Sequence, residues 1–124
     1  MGKDWAPVHE WHRAVNQRDI GAARRIADPD IEIGGPKGTR VGADHLVDWI
    51  HHAGIRLQAV AWHPIDEHRV VVEQDATWPD NPGADPGAAP VRTATLFKVA
   101  GGRVTSALRY DDGVHAALRA AQDS

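Results

Sequence analysis

The chain has 124 residues, a formal net charge of −3 and a pI near 6.2, with 42% hydrophobic and 25% charged residues, which is the profile of one soluble domain built on one core. The absence of cysteine excludes disulfides, thiolate metal sites and thiol nucleophiles. The acidic balance, with Arg24-Arg25 the one adjacent basic pair, argues against nucleic acid as a partner, and no apolar run reaches the roughly 18 residues of a membrane span.

The N-terminal stretch Met1 to Pro7 has no apolar signal segment, so the expected location is the cytoplasm, and Ala6 stands where a myristoylation motif needs Ser or Thr. Asp4 is positioned to cap a first helix that contains Pro7, with Val8, Trp11, His12 and Val15 on one face at i, i+3, i+4 and i+7. Asp19 is the N-cap candidate of a second helix carrying Ile20, Ala23 and Ala27, which must stop before Pro29. Ile31-Glu32-Ile33 reads as a short strand, and the glycine-rich stretch 34–38 reads as loop. A third helix starts near Ala43 with Leu46, Trp49, Ile50 and Ala53 as its apolar face, and Gly54 suits a left-handed C-terminal cap.

From there the period becomes two, with runs at about 55–63, 69–78, 91–99 and 103–110. The connection Pro64 to His68 and the Gly101-Gly102 turn are short enough for antiparallel hairpins, whereas 79–90 is a long loop rich in Pro, Gly, Asp and Ala. After Asp111-Asp112, read as a cap, Val114, Ala117, Leu118 and Ala121 define a closing helix. The order α-α-β-α-β-β-β-β-α gives a single α+β domain spanning 1–124. A strongly curved antiparallel sheet is expected to wrap around the N-terminal helices, with the helices on one face and a pocket left inside.

Several strings, in their order and spacing over nearly the whole chain, resemble the nuclear transport factor 2-like superfamily, particularly its SnoaL-like and limonene-epoxide-hydrolase-like branch. They are Ala14-Val15-Asn16-Gln17-Arg18-Asp19-Ile20, Asp30-Ile31-Glu32-Ile33-Gly34-Gly35-Pro36, Val41-Gly42-Ala43-Asp44-His45-Leu46, and Gly102-Arg103-Val104 through Arg109-Tyr110-Asp111. The resemblance implies a cone-shaped fold with a cavity. It leaves the reaction open, because the superfamily holds isomerases, dehydratases, cyclases, epoxide hydrolases and non-catalytic binders. The base of the related ketosteroid isomerases is replaced by Gly35, and their donor tyrosine by Trp11. The Asp-Arg-Asp relay of the epoxide hydrolases falls on Ala76, Gln74 and Arg109, so neither pattern is complete.

The same resemblance turns Glu32, Val72, Gln74, Ala76, Trp78, Thr105, Ala107 and Arg109 inward. Glu32 and Arg109 then either pair only to satisfy two buried charges, or act as general base and oxyanion-stabilising cation. His12 joins them as the one histidine on an apolar helix face. Trp11, Trp49 and Trp78 would form the walls, with Val15 beside them and Gln74 and Thr105 as orienting groups.

His9 and His12, three apart, and the adjacent His51-His52 lack the spacing of a metal site, so neither metal nor cofactor is expected. The expected function is cofactor-free acid–base chemistry on a small apolar substrate, or non-catalytic binding of a hydrophobic metabolite, or self-association. The outer sheet face, with Val104, Ser106, Leu108 and Tyr110, is the expected homodimer surface.

Overall fold

The computed structural model describes residues 5–35, 38–79 and 89–123. The Asp4 cap and most of the 79–90 connection lie outside the described residues. Helix α1 (Ala6–Gln17) has Trp5 at its N-cap and Pro7 in its first turn, and it buries Val8, Trp11, His12, Ala14 and Val15 as the stripe predicts. It ends at Arg18, which takes the left-handed conformation at φ 55° and returns its N–H to the helix. Helix α2 (Ile20–Ile26) is capped by Asp19, whose side chain accepts from the Ala22 N–H at 3.1 Å.

Two strands then form where one short strand and a loop are expected. Strand β1 (Ala27–Gly35) includes Gly34 and Gly35 and pairs with β2 (Gly38–Val41). Helix α3 (Ala43–Ala53) buries Leu46, Val47 and Ile50, and Gly54 caps it at φ 60°. Strands β3 (Arg56–Pro64), β4 (Arg69–Thr77), β5 (Val91–Ala100) and β6 (Arg103–Tyr110) form the expected meander, and α4 (Val114–Asp123) closes the chain. Before α4, the carbonyl of Gly113 accepts from the Ala117 N–H. Gly113, with φ 104°, thus holds the position before the helix that the sequence reading assigns to Asp111-Asp112 as a cap, and those two residues form the turn ahead of it.

The sheet order is β2-β1-β6-β5-β4-β3. All neighbours are antiparallel except β1 and β6, which run parallel, because the chain returns to β1 only after the full meander. Register shifts at Ala59/Ala61, Lys98/Val99 and Ala27/Glu32 bend the strands, and the unclosed sheet curves around α1, α2 and α3. The main core lies inside this curve. Its centre includes Val8, Trp11, Leu46, Leu57, Val70, Val72 and Phe97, with the Phe97 ring edge-on to Trp11 at 4.9 Å.

Helix α4 corrects the expected placement of all helices on one face. It packs on the opposite face of the sheet, where Ala117 and Ala121 form a second cluster with Val71, Ala94 and Leu96, and Tyr110 packs at its margin. Of the residues expected on the outer face, Tyr110 is covered by this helix, whereas Val104 turns into the main core on the other side of the sheet.

Candidate functional site

A cavity of about 960 Å³ opens between the inner side of the sheet, α1 and α3. Its volume is near the upper end for small-molecule sites. Trp11 from α1 and Trp49 from α3 stack at 5.8 Å with an interplanar angle of 23°, and both line it. Ile33, Leu57, Thr95 and Ala107 supply the sheet side. The β1–β2 hairpin contributes Gly34, Gly35, Gly38, Thr39 and Arg40, and α3 adds His45 and Asp48 one turn apart. A second, smaller groove of about 370 Å³ runs past Asn16, Arg56 and Asp75 and shares only Leu57 with the first.

The hairpin can approach so closely because Gly34 has no side chain. A Cβ there would stand 2.8 Å from Leu108 Cδ2 and 2.8 Å from Thr39 Oγ1. At Gly35 a Cβ would meet nothing within 4 Å.

Arg109, on β6, lines the cavity with its side chain 24% exposed. Its Nε lies 3.0 Å from Asp111 Oδ1, an ion-pair distance at which the N–H is not directed at the oxygen, so the buried Nε makes no hydrogen bond. Asp111, one residue beyond the end of β6, also lines the cavity.

Glu32 is elsewhere. It is exposed and pairs in register with Val41 and Ser106, while its neighbour Ile33 faces the cavity opposite Ala107. With a side-chain period of two, assigning Glu32 inward is a one-residue error that reverses the whole strand. The expected Glu32–Arg109 pair is thus replaced by Asp111–Arg109.

Among the other expected wall residues, Trp11, Trp49, Ala107 and Arg109 line the cavity. Val15, Val72 and Ala76 are buried in the packed core, and Trp78 packs against that core rather than on the cavity. Thr105 sits in β6 beside the register shift, and its hydroxyl donates to the Lys98 carbonyl at 3.2 Å.

His12 and Gln74 lie behind the cavity wall and are buried together. His12 Nδ1 is 2.8 Å from the Val8 carbonyl, Gln74 Nε2 is 2.8 Å from His12 Nε2, and Thr95 Oγ1 donates to Gln74 Oε1 at 2.7 Å. Burial pushes the His12 pKa down to about 4, outweighing the hydrogen bond to Val8, which acts to raise it. His12 is consequently neutral at ordinary pH. It packs against Trp11, Trp62 and Phe97 at 5.3, 5.9 and 5.4 Å.

Sequence reading missed Ile33, Thr95, Arg40, His45 and Asp48. The signal for Thr95 was the alternation of β5, where Thr93, Thr95 and Phe97 share one face.

Among the described residues, no group of three or more His, Asp and Glu is placed to hold a metal ion, and no helix is long and apolar enough to cross a membrane. No curated protein matches the chain. Solved structures do. An NTF2-like protein of unknown function from Cytophaga hutchinsonii superposes with a TM-score of 0.72 at 16% identity, covering 89% of this chain and 91% of that one. A protein from Sphaerobacter thermophilus gives 0.67 at 25% identity, over 83% and 90%. An LEH-like epoxide hydrolase from M. tuberculosis gives 0.67 at 15% identity, over 85% and 79%. These likenesses carry the fold, and a family model for the SnoaL-like domain matches residues 8–107. With its curved sheet and its family-model match over residues 8–107, the chain belongs to the SnoaL-like family of the NTF2-like superfamily.

Proposed function

We propose that the chain takes up a small molecule with an apolar, ring-sized body and an acidic or carbonyl oxygen. The body lies against Trp11, Trp49 and Ala107, and the oxygen lies at Arg109. On this reading Asp111 takes and returns a proton while Arg109 offsets the negative charge that develops on the neighbouring oxygen, without a cofactor. The observation that carries it is the Arg109–Asp111 pair on the wall of a cavity that also presents the Trp11 and Trp49 rings. The guanidinium Nε makes no hydrogen bond within the chain, so the Arg109 cation is incompletely paired, and an acidic or carbonyl oxygen beside it is stabilised by its charge. Glu32, exposed on the other side of its strand, has no part in this chemistry.

The test uses naphthoate and the uncharged naphthalenemethanol as probes, followed by quenching of tryptophan fluorescence. Arg109→Met should weaken naphthoate binding about tenfold or more and leave the alcohol nearly unchanged. Equal naphthoate affinity in the variant and the parent would overturn the assignment. For the proton transfer, exchange of deuterium from solvent into the carbon beside a carbonyl, read by NMR on bound aryl ketones, should require Asp111 and vanish in Asp111→Asn.

A non-catalytic binder is the second reading. It is favoured by the chemistry of the least exposed wall residues, Leu57, Thr95, Trp11 and Ala107, none of which titrates. Tight binding of ketones without any exchange would select it.

A further inference from the structure

The polar side chains behind the cavity wall form a hydrogen-bond chain with one direction. A carbonyl oxygen only accepts, so the proton between His12 and Val8 sits on His12 Nδ1. In the neutral ring Nε2 then carries a lone pair and accepts from the Gln74 amide nitrogen. That fixes the amide, and Gln74 Oε1 turns to β5, where it accepts from Thr95 Oγ1 at 2.7 Å and from Thr93 Oγ1 at 3.4 Å. Reversing the chain would require an imidazolium in a site that is 7% exposed and packed by three aromatic rings.

Thr95 is where this chain meets the cavity. It lines the wall and stands directly opposite Arg109 in the β5–β6 register. Its hydroxyl proton is committed to Gln74, so what it retains for a ligand is acceptor capacity.

We propose that Thr95 is a specificity-determining acceptor that selects ligands bearing a hydroxyl or N–H donor near the oxygen held by Arg109, with Gln74 and His12 as positioning residues that keep its proton turned away. The preferred ligand class is a hydroxylated aromatic or alicyclic acid rather than its ether or its ketone. This rests on the reading of the cavity given above, and it names a discrimination which that reading leaves open.

The experiment measures three probes on the full chain: a hydroxynaphthoate, its methyl ether and the parent naphthoate. The hydroxy acid should bind at least about tenfold more tightly than the ether, because the ether leaves an acceptor facing an acceptor. Thr95→Val should bring that ratio close to one, and Thr95→Ser should restore it. The double variant His12→Leu, Gln74→Leu removes both members of the chain together and frees the Thr95 proton. It should lower the ratio while naphthoate binding persists, whereas a purely structural role would weaken all three probes in common. Equal affinity for hydroxy acid and ether in the parent protein, or a ratio that survives Thr95→Val, overturns the proposal. The Arg109→Met control separates the two failures. If it spares naphthoate binding, the cavity reading has failed. If it abolishes that binding while the parent shows no hydroxyl preference, only the Thr95 assignment has failed. No binding by any of the three overturns both.

Discussion

Gln74 donates its amide proton to His12 across 2.8 Å, joining α1 to β4 through a neutral, buried imidazole. The folded-state pKa of His12 is lowered to about 4 from an ordinary 6.5. The unfolded chain therefore binds the proton first as pH falls. Stability from this group is complete above pH 6.5 and is lost between 6.5 and 4, in total about 3 kcal/mol. Glu10, Asp19, Asp66 and Glu73 are shifted downward by hydrogen bonds from Arg13, the Ala22 N–H, the His68 N–H and His63 respectively, so their contributions fade only at more acid pH. Urea denaturation at steps between pH 7 and pH 4.5 should show a falling midpoint in the parent and a much flatter profile in the His12→Leu, Gln74→Leu double variant. An unchanged slope in that variant would mean that His12 is not the group whose protonation drives the acid loss.

Much of the frame was legible because helix stripes and strand alternation are local signals. The Asp19 cap, the Gly54 cap and the stripe of Val8, Trp11 and Val15 each appear in sequence with the period that the structure uses. Strand β2 was not legible, since Gly38, Thr39, Arg40 and Val41 are all exposed and carry no alternation. The stripe of α4 announces a buried face without saying which side of the sheet receives it. The site depended on strand parity, which three residues, Ile31-Glu32-Ile33, determine poorly when the register of β1 shifts between Ala27 and Glu32. Arg109 was placed inward by the family resemblance, and it lies on the part of β6 beyond the register shift, where pairing with β5 is regular from Ser106 to Tyr110. The partner of Gln74 was not found, because cross-strand neighbours follow from register and not from spacing.

Asn16 ties the end of α1 to the edge strand β3. Its amide nitrogen donates to the Leu57 carbonyl and its oxygen accepts from the Leu57 N–H, both at 2.8 Å, so the side chain pairs with a strand backbone much as another strand would. Asn16→Ala should cost about 1–3 kcal/mol by leaving two backbone groups unpaired. Asn16→Asp, isosteric but lacking the donor, should cost nearly as much, as measured by chemical denaturation. A neutral effect of both would mean that water replaces the pair at no loss.

Gly34 and Gly35 separate packing from space. Gly34→Ala should destabilise by about 1 kcal/mol, because its Cβ makes the side-chain ends of Leu108 and Thr39 move aside. Gly35→Ala should leave stability within about 0.5 kcal/mol, since the position faces open space on the cavity wall. Thermal melts of the two variants test the contrast, and a similar loss in both would contradict the close approach of β1 to its neighbours.

The outer face tests whether α4 is a lid on a core or an ornament. The side chains of Ala117 and Ala121 are wholly buried against Val71, Ala94 and Leu96, in apolar surroundings that hold a methyl group. Ala117→Glu places a charge there without compensation, and it should destabilise by at least about 3 kcal/mol or eject the helix. Ejection bares the apolar centre of the face, so the variant should bind a hydrophobic dye and self-associate in sedimentation, while the parent should do neither through this surface. Ala117→Ser, nearly the same size, should keep the helix docked. A parent that dimerises as strongly as Ala117→Glu would mean that association uses another surface, with the exposed strands β2 and β3 at the sheet edges, marked by Val41 and Val60, the first places to substitute.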